Sequence, residues 1–480
     1  MHRVGVVLGI VIFLLAPPAL FAQSPASTDE LRRELDAARA ELAAVRARLE
    51  SLEEKLQGMS GPRTSPMAAA AAPAQNPLRQ ETAKPAQRLS VRLGSAARAT
   101  FYGQIYTNLF FNSSPVNFND IPMFTVRGGE LPGRGSLGLA ARQTRFGLRL
   151  DEMKVGSAKA TAVVEADFYG GFPNVGTGEN FALPRLRLAN LRLDGARTSL
   201  VVGQDWVIFA PLNPQSIAAA AVPELATAGN LWQRMAQLRL ERLEEFAGNK
   251  FLLQAAVVVP ATGDFPGSTY VFALQPSSGS RSEMPFWQGR VAFTPKRWFV
   301  KDRATWGLSA QYGQARGIGN RGEARVTSAG LAADWVMPLG AGFVFSGEGF
   351  FGRNLAAFQG GAFQGANLNF ARRLGASLVP AGARAIGTRG GWAQLSFTPT
   401  SWRALTLNGA FGVDDLRDSD LLTVNRADLR TRNQAYFFNF IYKSSPFLSW
   451  GLEYRRTNTT QLVGRTLSND HINLGFLLSF

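Results

Sequence analysis

The stretch that decides the fold is Asp470-His-Ile-Asn-Leu-Gly-Phe-Leu-Leu-Ser-Phe480. Ile472, Leu474, Phe476, Leu478 and Phe480 share one face of an extended strand, and His471, Asn473, Gly475 and Ser479 share the other, with Leu477 out of phase. About ten residues with one apolar and one polar face suit the wall of a barrel between lipid and water, although a soluble sandwich strand alternates in the same way.

Working back from that strand, the region from Ala99 onward repeats strand, short turn, strand, long segment. Sixteen strands are predicted at 99–112, 139–151, 158–169, 183–194, 198–207, 230–242, 250–260, 285–295, 304–315, 324–337, 342–354, 388–399, 404–414, 432–444, 448–457 and 470–480. Short turns near 152–157, 195–197, 338–341, 400–403 and 445–447 alternate with long segments near 113–138, 208–229, 261–284, 355–387 and 415–431. Short turns at one end and long loops at the other are the asymmetry of a transmembrane barrel. The fold expected is all-β: a 16-stranded antiparallel transmembrane β-barrel over 98–480. Two turns echo each other, Phe293-Thr-Pro-Lys-Arg-Trp298 and Phe397-Thr-Pro-Thr-Ser-Trp402, and their aromatic residues suit a girdle at one membrane interface.

The preceding segments read differently. Residues 1–22, with Arg3, an apolar run from Val4 to Leu15 and a small-residue end at Ala22, have the layout of a secretory signal peptide. Over 29–57, Leu31, Leu35, Ala38, Leu42, Val45, Leu49, Leu52 and Leu56 alternate in steps of four and three, the seam of a short oligomerising coiled-coil helix. Residues 58–97 are an Ala/Pro-rich linker.

Composition narrows the classes. The chain has 480 residues, no cysteine and a formal net charge of +16. Residues 29–57 carry −2 and Arg3 +1, so 58–480 carry +17. No helix-turn-helix, zinc or phosphate-loop pattern accompanies this charge, and nucleic acid is not an expected partner. After the N-terminus no apolar run approaches the length of a membrane helix, so a membrane is crossed with strands if at all. No cofactor or metal is expected.

Parity along the strands assigns faces. Phe146, Leu148 and Leu150 outward leave Gln143, Arg145 and Arg149 inward, and Ala162, Val164, Ala166 and Phe168 outward leave Lys159, Thr161, Glu165 and Asp167 inward. Leu186 and Leu188 outward place Arg185 and Arg187 inside, with a slip of phase across Ala189-Asn190. Trp232, Leu238 and Leu240 outward put Gln233, Gln237, Arg239 and Glu241 inside, while Trp287, Val291 and Phe293 do the same for Gln288 and Arg290. An arginine facing lipid at mid-membrane costs about 2–4 kcal/mol, so these guanidinium groups belong in water. There they form a positive field that grips carboxylates and phosphates, or they pair structurally, Arg145 with Glu165 and Arg185 with Asp167. The segment Ile208 to Gly229, with Pro211, Asn213, Pro214 and its one charge Glu224, is the third long loop, a constriction if it folds inward and an ordinary outer loop if it does not.

Ala97-Arg-Ala-Thr-Phe-Tyr-Gly-Gln-Ile-Tyr106, Thr144-Arg-Phe-Gly-Leu148, Val164-Glu-Ala-Asp-Phe-Tyr-Gly-Gly171, Arg185-Leu-Arg-Leu188 and Leu200-Val-Val-Gly-Gln-Asp-Trp206, in that order, resemble the DcaP-like family of trimeric outer-membrane porins. The resemblance implies a homotrimer, outer-membrane lipid and lipopolysaccharide as surroundings, and passive uptake of small anionic solutes such as dicarboxylates. The coiled coil would then lie in the periplasm. The last strand, with Phe476, Leu478 and Phe480, resembles the signal read by the barrel assembly machinery. The linker and residues 355–387 depart from the family, and phosphate-selective or general porins are similar in design. A barrel hydrolase would need His471 with Asp470 and Asn473, since the other histidine, His2, leaves with the signal peptide. A structural or adhesive role would use the coil as a stalk.

Overall fold

A computed structural model describes residues 89–94, 97–127, 135–171, 182–260, 262, 276–423 and 429–480. The signal segment, the heptad residues Leu31, Leu35, Leu42, Val45, Leu49, Leu52 and Leu56, and nearly all of the linker lie outside the described residues.

Among the described residues, alternating apolar and polar side chains give twenty strands. The first ten are β1 (Ser90–Leu93), β2 (Ala97–Asn112), β3 (Ser136–Ala140), β4 (Arg145–Val155), β5 (Ala158–Asp167), β6 (Arg185–Asp194), β7 (Thr198–Trp206), β8 (Arg234–Phe246), β9 (Asn249–Val258) and β10 (Phe286–Thr294). The rest are β11 (Thr305–Gly319), β12 (Gly322–Gly340), β13 (Phe343–Arg353), β14 (Ala366–Leu374), β15 (Ser377–Ala385), β16 (Gly387–Phe397), β17 (Leu405–Leu416), β18 (Arg430–Lys443), β19 (Leu448–Gln461) and β20 (Thr466–Ser479). Each wall strand pairs antiparallel with its neighbour in sequence, and β20 returns to β2 with Ser479 opposite Gln104 and His471 opposite Asn112. β3 and β4 both lie along β2 and fill one place in the wall. With β1, β14 and β15 outside the count, the wall is a closed barrel of sixteen strands.

The extra elements were not expected from the sequence. β14 and β15 form a separate hairpin within 355–387, and β1 pairs with Ala97–Thr100 although it belongs to the linker. The length asymmetry has exceptions. Two residues, 320–321, join β11 to β12 at the loop end, and ten, 295–304, join β10 to β11 at the other. The Phe293 motif therefore closes β10 without opening β11, yet its aromatics do gather. Phe293 lies 5.1 Å from Phe251, and Trp298 lies 5.2 Å from Trp306. Around the same rim, Phe343 stacks on Phe397 at 4.3 Å and Trp402 and Trp450 both flank Tyr442.

Outward residues are apolar and exposed, among them Ile105, Phe146, Val164, Leu238, Val291 and Phe438. Inward residues are polar and buried. β8 shows the contrast within one strand: Leu238 and Leu240 are each about half exposed, while Gln237, Arg239 and Glu241 are buried. Leu477, out of phase in the sequence, points inward and packs on Tyr106 and Ile217.

The seam of the barrel is tight. Gly103 N–H donates to Phe480 O and Phe480 N–H to Gly103 O, both at 3.1 Å. A Cβ at Gly103 would stand 2.7 Å from the Phe480 ring and 2.5 Å from Arg145 O. Gly103→Val is expected to destabilise the closed barrel by about 1–3 kcal/mol, as overpacking does. Gly349→Ala, where a Cβ meets open space, is expected to be neutral. Heat-dependent gel mobility of refolded protein measures both.

Candidate functional site

Residues 207–233, between β7 and β8, lie inside the barrel and are almost wholly buried. Inward polar side chains hold their backbone in sequence around the wall. Ile208 N–H donates to Gln288 of β10, Ala210 N–H to Ser309 of β11, Leu212 N–H to Glu348 of β13 at 2.6 Å and Gln215 N–H to Gln394 of β16 at 2.7 Å. Ser216 Oγ then donates to Glu453 of β19, and Gln143, in the break between β3 and β4, takes the N–H of Ala220 and donates to Ala218 O. The segment thus follows the inner wall for most of a turn. It then crosses back, Thr227 against Asn433 of β18 and Asn230 Nδ2 against Asn213 Oδ1 at 3.0 Å. Polar loop backbone is tolerated here because inward side chains of β6, β8, β10, β11, β13, β16 and β18 offer it partners.

Glu224, the loop's one charge, is buried and pairs with Arg455 of β19, which also donates to Pro122 O. Pro214 is buried and Pro211 partly so. Around the loop lie apolar clusters inside the barrel, one joining Phe209, Phe286, Phe350 and Phe358, another joining Leu225, Trp392 and Phe437.

The inward arginines expected from strand parity are paired. Arg290 binds Asp334 through two N–H groups, at 2.6 and 3.0 Å, and Arg239 binds Asp205 at 2.8 Å. Gln237 donates to the carbonyls of Asp205 and Trp206. Arg145 reaches Glu165 at 3.5 Å and Gln104 at 2.7 Å, and Arg185 clasps Asp167 at 2.7 and 3.0 Å. Arg187 bridges Glu165 at 2.8 Å and Asp167 at 2.7 Å. Arg149 and Lys159 are exposed toward the short-turn end, Arg149 3.4 Å from Asp151 and Lys159 opposite Asp194.

One cluster keeps an excess of positive charge. Arg185 Nη2, Arg187 Nη1 and Arg234 Nη2 all donate to a single loop carbonyl, Ala221 O, at 2.9, 3.3 and 3.1 Å. With Arg145, four guanidinium groups gather near two carboxylates, Glu165 and Asp167, and three of them pair with these. Arg234 makes no ion pair among the described residues, and its buried Nη1 has no hydrogen-bond partner. Its guanidinium lies 4.8 Å from the Trp206 ring and 5.2 Å from that of Trp232, which offers cation–π attraction in place of a counter-ion. The basic track continues toward the loop end, where Arg142 lies 3.8 Å from the Tyr169 ring centroid and pairs with Asp120. Burial, and after it the Asp120 carboxylate, raises the Tyr169 phenol well above its ordinary range, so it stays a neutral donor to Asp120 at 3.1 Å.

Two expectations are corrected here. Trp232 does not face lipid: β8 begins only at Arg234, and Trp232 is buried among Ile121, Met123, Trp206 and Val222. Leu188 does not face lipid either. The slip of phase falls at Arg187, between Leu186 and Leu188, so Leu188 lies opposite Glu165 on the inner face. That bulge also settles Arg192, which turns inward to Glu241 at 2.8 Å. His471 is 1% exposed in the inner layer, its Nδ1 2.9 Å from Asn112 Oδ1.

A closed sixteen-stranded barrel with its third loop laid along the inner wall is the architecture of a porin-type channel. No protein-family profile and no curated protein sequence matches the chain. Solved structures do. The outer membrane channel DcaP of Acinetobacter baumannii superposes with a TM-score of 0.58 at 15% identity, over 81% of this chain and 99% of that one. An anion-selective porin from Comamonas acidovorans gives 0.47 at 13% identity over 80% and 100%, and OmpF of Salmonella typhi gives 0.46 at 10% identity over 82% and 100%. The fold expected from the family resemblance is the fold found.

Proposed function

We propose that this chain is an outer-membrane porin through which small anions diffuse passively, between the third loop and the arginine-bearing wall. The observation that carries the reading is the convergence of Arg185, Arg187 and Arg234 on Ala221 O, with four guanidinium groups around two carboxylates. A buried excess of like charge is costly and is relieved by any anion that approaches it. Carboxylate and phosphate oxygens suit the same donors, so the solute class is small carboxylates and phosphates. The apolar outward face, bounded by the aromatic rim, supports a membrane setting.

The remaining parts of the proposal follow from the family resemblance. The chain assembles as a homotrimer, its last strand with Phe476, Leu478 and Phe480 serves barrel assembly, and the heptad helix at 29–57 lies in the periplasm. Disulfide trapping of cysteines introduced at Leu35 or Leu49 tests the helix, since a monomeric helix gives no trapped oligomer.

Liposome swelling with succinate, phosphate and neutral sugars tests the solute class. Arg234→Gln is expected to slow both anions severalfold and leave sugars unchanged. Replacing the balanced pair Arg290 and Asp334 together, by Met and Leu, is expected to alter none of the three. Equal loss for sugars and anions in Arg234→Gln would mean that the site acts by width and not by charge.

A further inference from the structure

We propose that a monovalent alkali cation binds inside the barrel beneath the third loop and ties that loop to β2, β19 and β20. The site does not depend on which solutes the channel passes. The inner wall is bare there. Asn108 of β2 stands opposite Gly475 of β20, which stands opposite Gly451 of β19. Ile217 of the third loop lies over the two glycines, and Tyr106 reaches the same place from β2. A Cβ at Gly475 would stand 3.0 Å from Tyr106 Oη and 3.5 Å from Ile217 O. In the next inward row, Asn473 stands opposite Glu453.

Buried oxygen atoms gather here without a hydrogen-bond partner. They are Glu453 Oε1, Glu224 Oε2, Asn473 Oδ1, Asn108 Oδ1 and Tyr106 Oη. None of these residues is more than 1% exposed. Bonds to neighbouring atoms hold the free oxygens in place. Glu453 Oε2 accepts from Ser216 Oγ at 2.6 Å and from Asn439 Nδ2 at 2.8 Å. Glu224 Oε1 pairs with Arg455, and Asn473 Nδ2 lies 3.4 Å from His471 Nε2. The charges of Glu224 and Glu453 are close enough to repel, and Tyr106 stands in the field of both.

Charge selects the ligand. Glu224 and Glu453 carry −2 and Arg455 +1, which leaves −1. Glu453 makes no ion pair among the described residues, and an uncompensated buried charge is costly. A proton on Glu453 cancels the charge but offers a single hydrogen bond to several orphan oxygens. A water molecule offers hydrogen bonds and leaves the charge. A monovalent cation cancels the charge and takes several oxygens at once, and a ligand set made only of oxygen suits a hard ion. A divalent ion would leave an excess of positive charge in the same burial. Glu224 and Ile217 belong to the loop and the other ligands to the wall, so the ion holds one against the other.

The test uses the full-length protein folded in detergent and freed of alkali ions by dialysis into choline chloride. Sodium chloride then replaces choline chloride at constant ionic strength, and thermal unfolding is followed. The wild-type midpoint is expected to rise along a saturating curve, as linkage to a bound ion requires. Glu453→Gln keeps an acceptor for Ser216 and Asn439 but removes the charge, and its midpoint is expected not to respond to sodium. Asn108→Ala, which keeps both carboxylates, is expected to need more sodium for the same rise. Crystals soaked in thallium(I) acetate are expected to show an anomalous peak beside Glu453 Oε1. A wild-type midpoint that is the same in both salts overturns the proposal, as does a Glu453→Gln midpoint that rises as the wild type's does. A midpoint that answers calcium chloride and not sodium chloride overturns the monovalent assignment.

Discussion

Excising residues 210–229 and joining the ends through two glycines is expected to raise single-channel conductance severalfold. The segment follows the inner wall from β10 to the break before β4 and then crosses back, so it occupies the section that ions must share. Its removal also exposes the inward ends of Glu348, Gln394 and Glu453, which hold its backbone, to water that can satisfy them. The wall itself is expected to stay closed, because its ladder runs without the loop from β2 round to β20. Unchanged conductance in a barrel of normal gel mobility would mean that the loop does not narrow the path.

Arg455→Met is expected to lower stability by about 3–5 kcal/mol, because it leaves Glu224 buried without its partner. The same change frees Pro122 O, so the first loop loosens with the third. Pairing it with Glu224→Met removes the stranded charge and is expected to recover most of the loss. Thermal unfolding of the four proteins of that cycle in detergent reads the coupling directly. Additive losses in the double variant would show that the pair does not latch the loop.

The strand rhythm is legible because membrane strands in this chain alternate over long runs, as β8 does from Ala236 to Glu241 and β20 from His471 to Phe476. Parity also located Arg145, Arg185, Arg187, Arg239 and Arg290 correctly, since one exposed apolar neighbour fixes the face of each. It failed where the period breaks. Arg234 shares its parity with the lipid-facing Ala236 and Leu238, so alternation assigns it outward. It is the first residue of its strand, and its side chain turns in to Ala221 O. Arg142 sits in the four-residue break between β3 and β4, where no alternation exists to read. Arg455 shares its parity with Glu453, two residues before it on the inward face of β19. Pairing is legible between adjacent strands, as for Arg145 with Glu165 and Arg185 with Asp167, but not across an intervening one. Arg290 and Asp334 are 44 residues apart, and only the register through β11 brings them together.

The central claim is that the balance of charge along the solute path favours anions. The most direct measurement is the reversal potential of the full-length protein in a planar bilayer under a gradient of potassium chloride. A potential displaced toward that of chloride, and moved back toward zero by Arg234→Gln, is the predicted result. A potential displaced toward that of potassium would contradict the account.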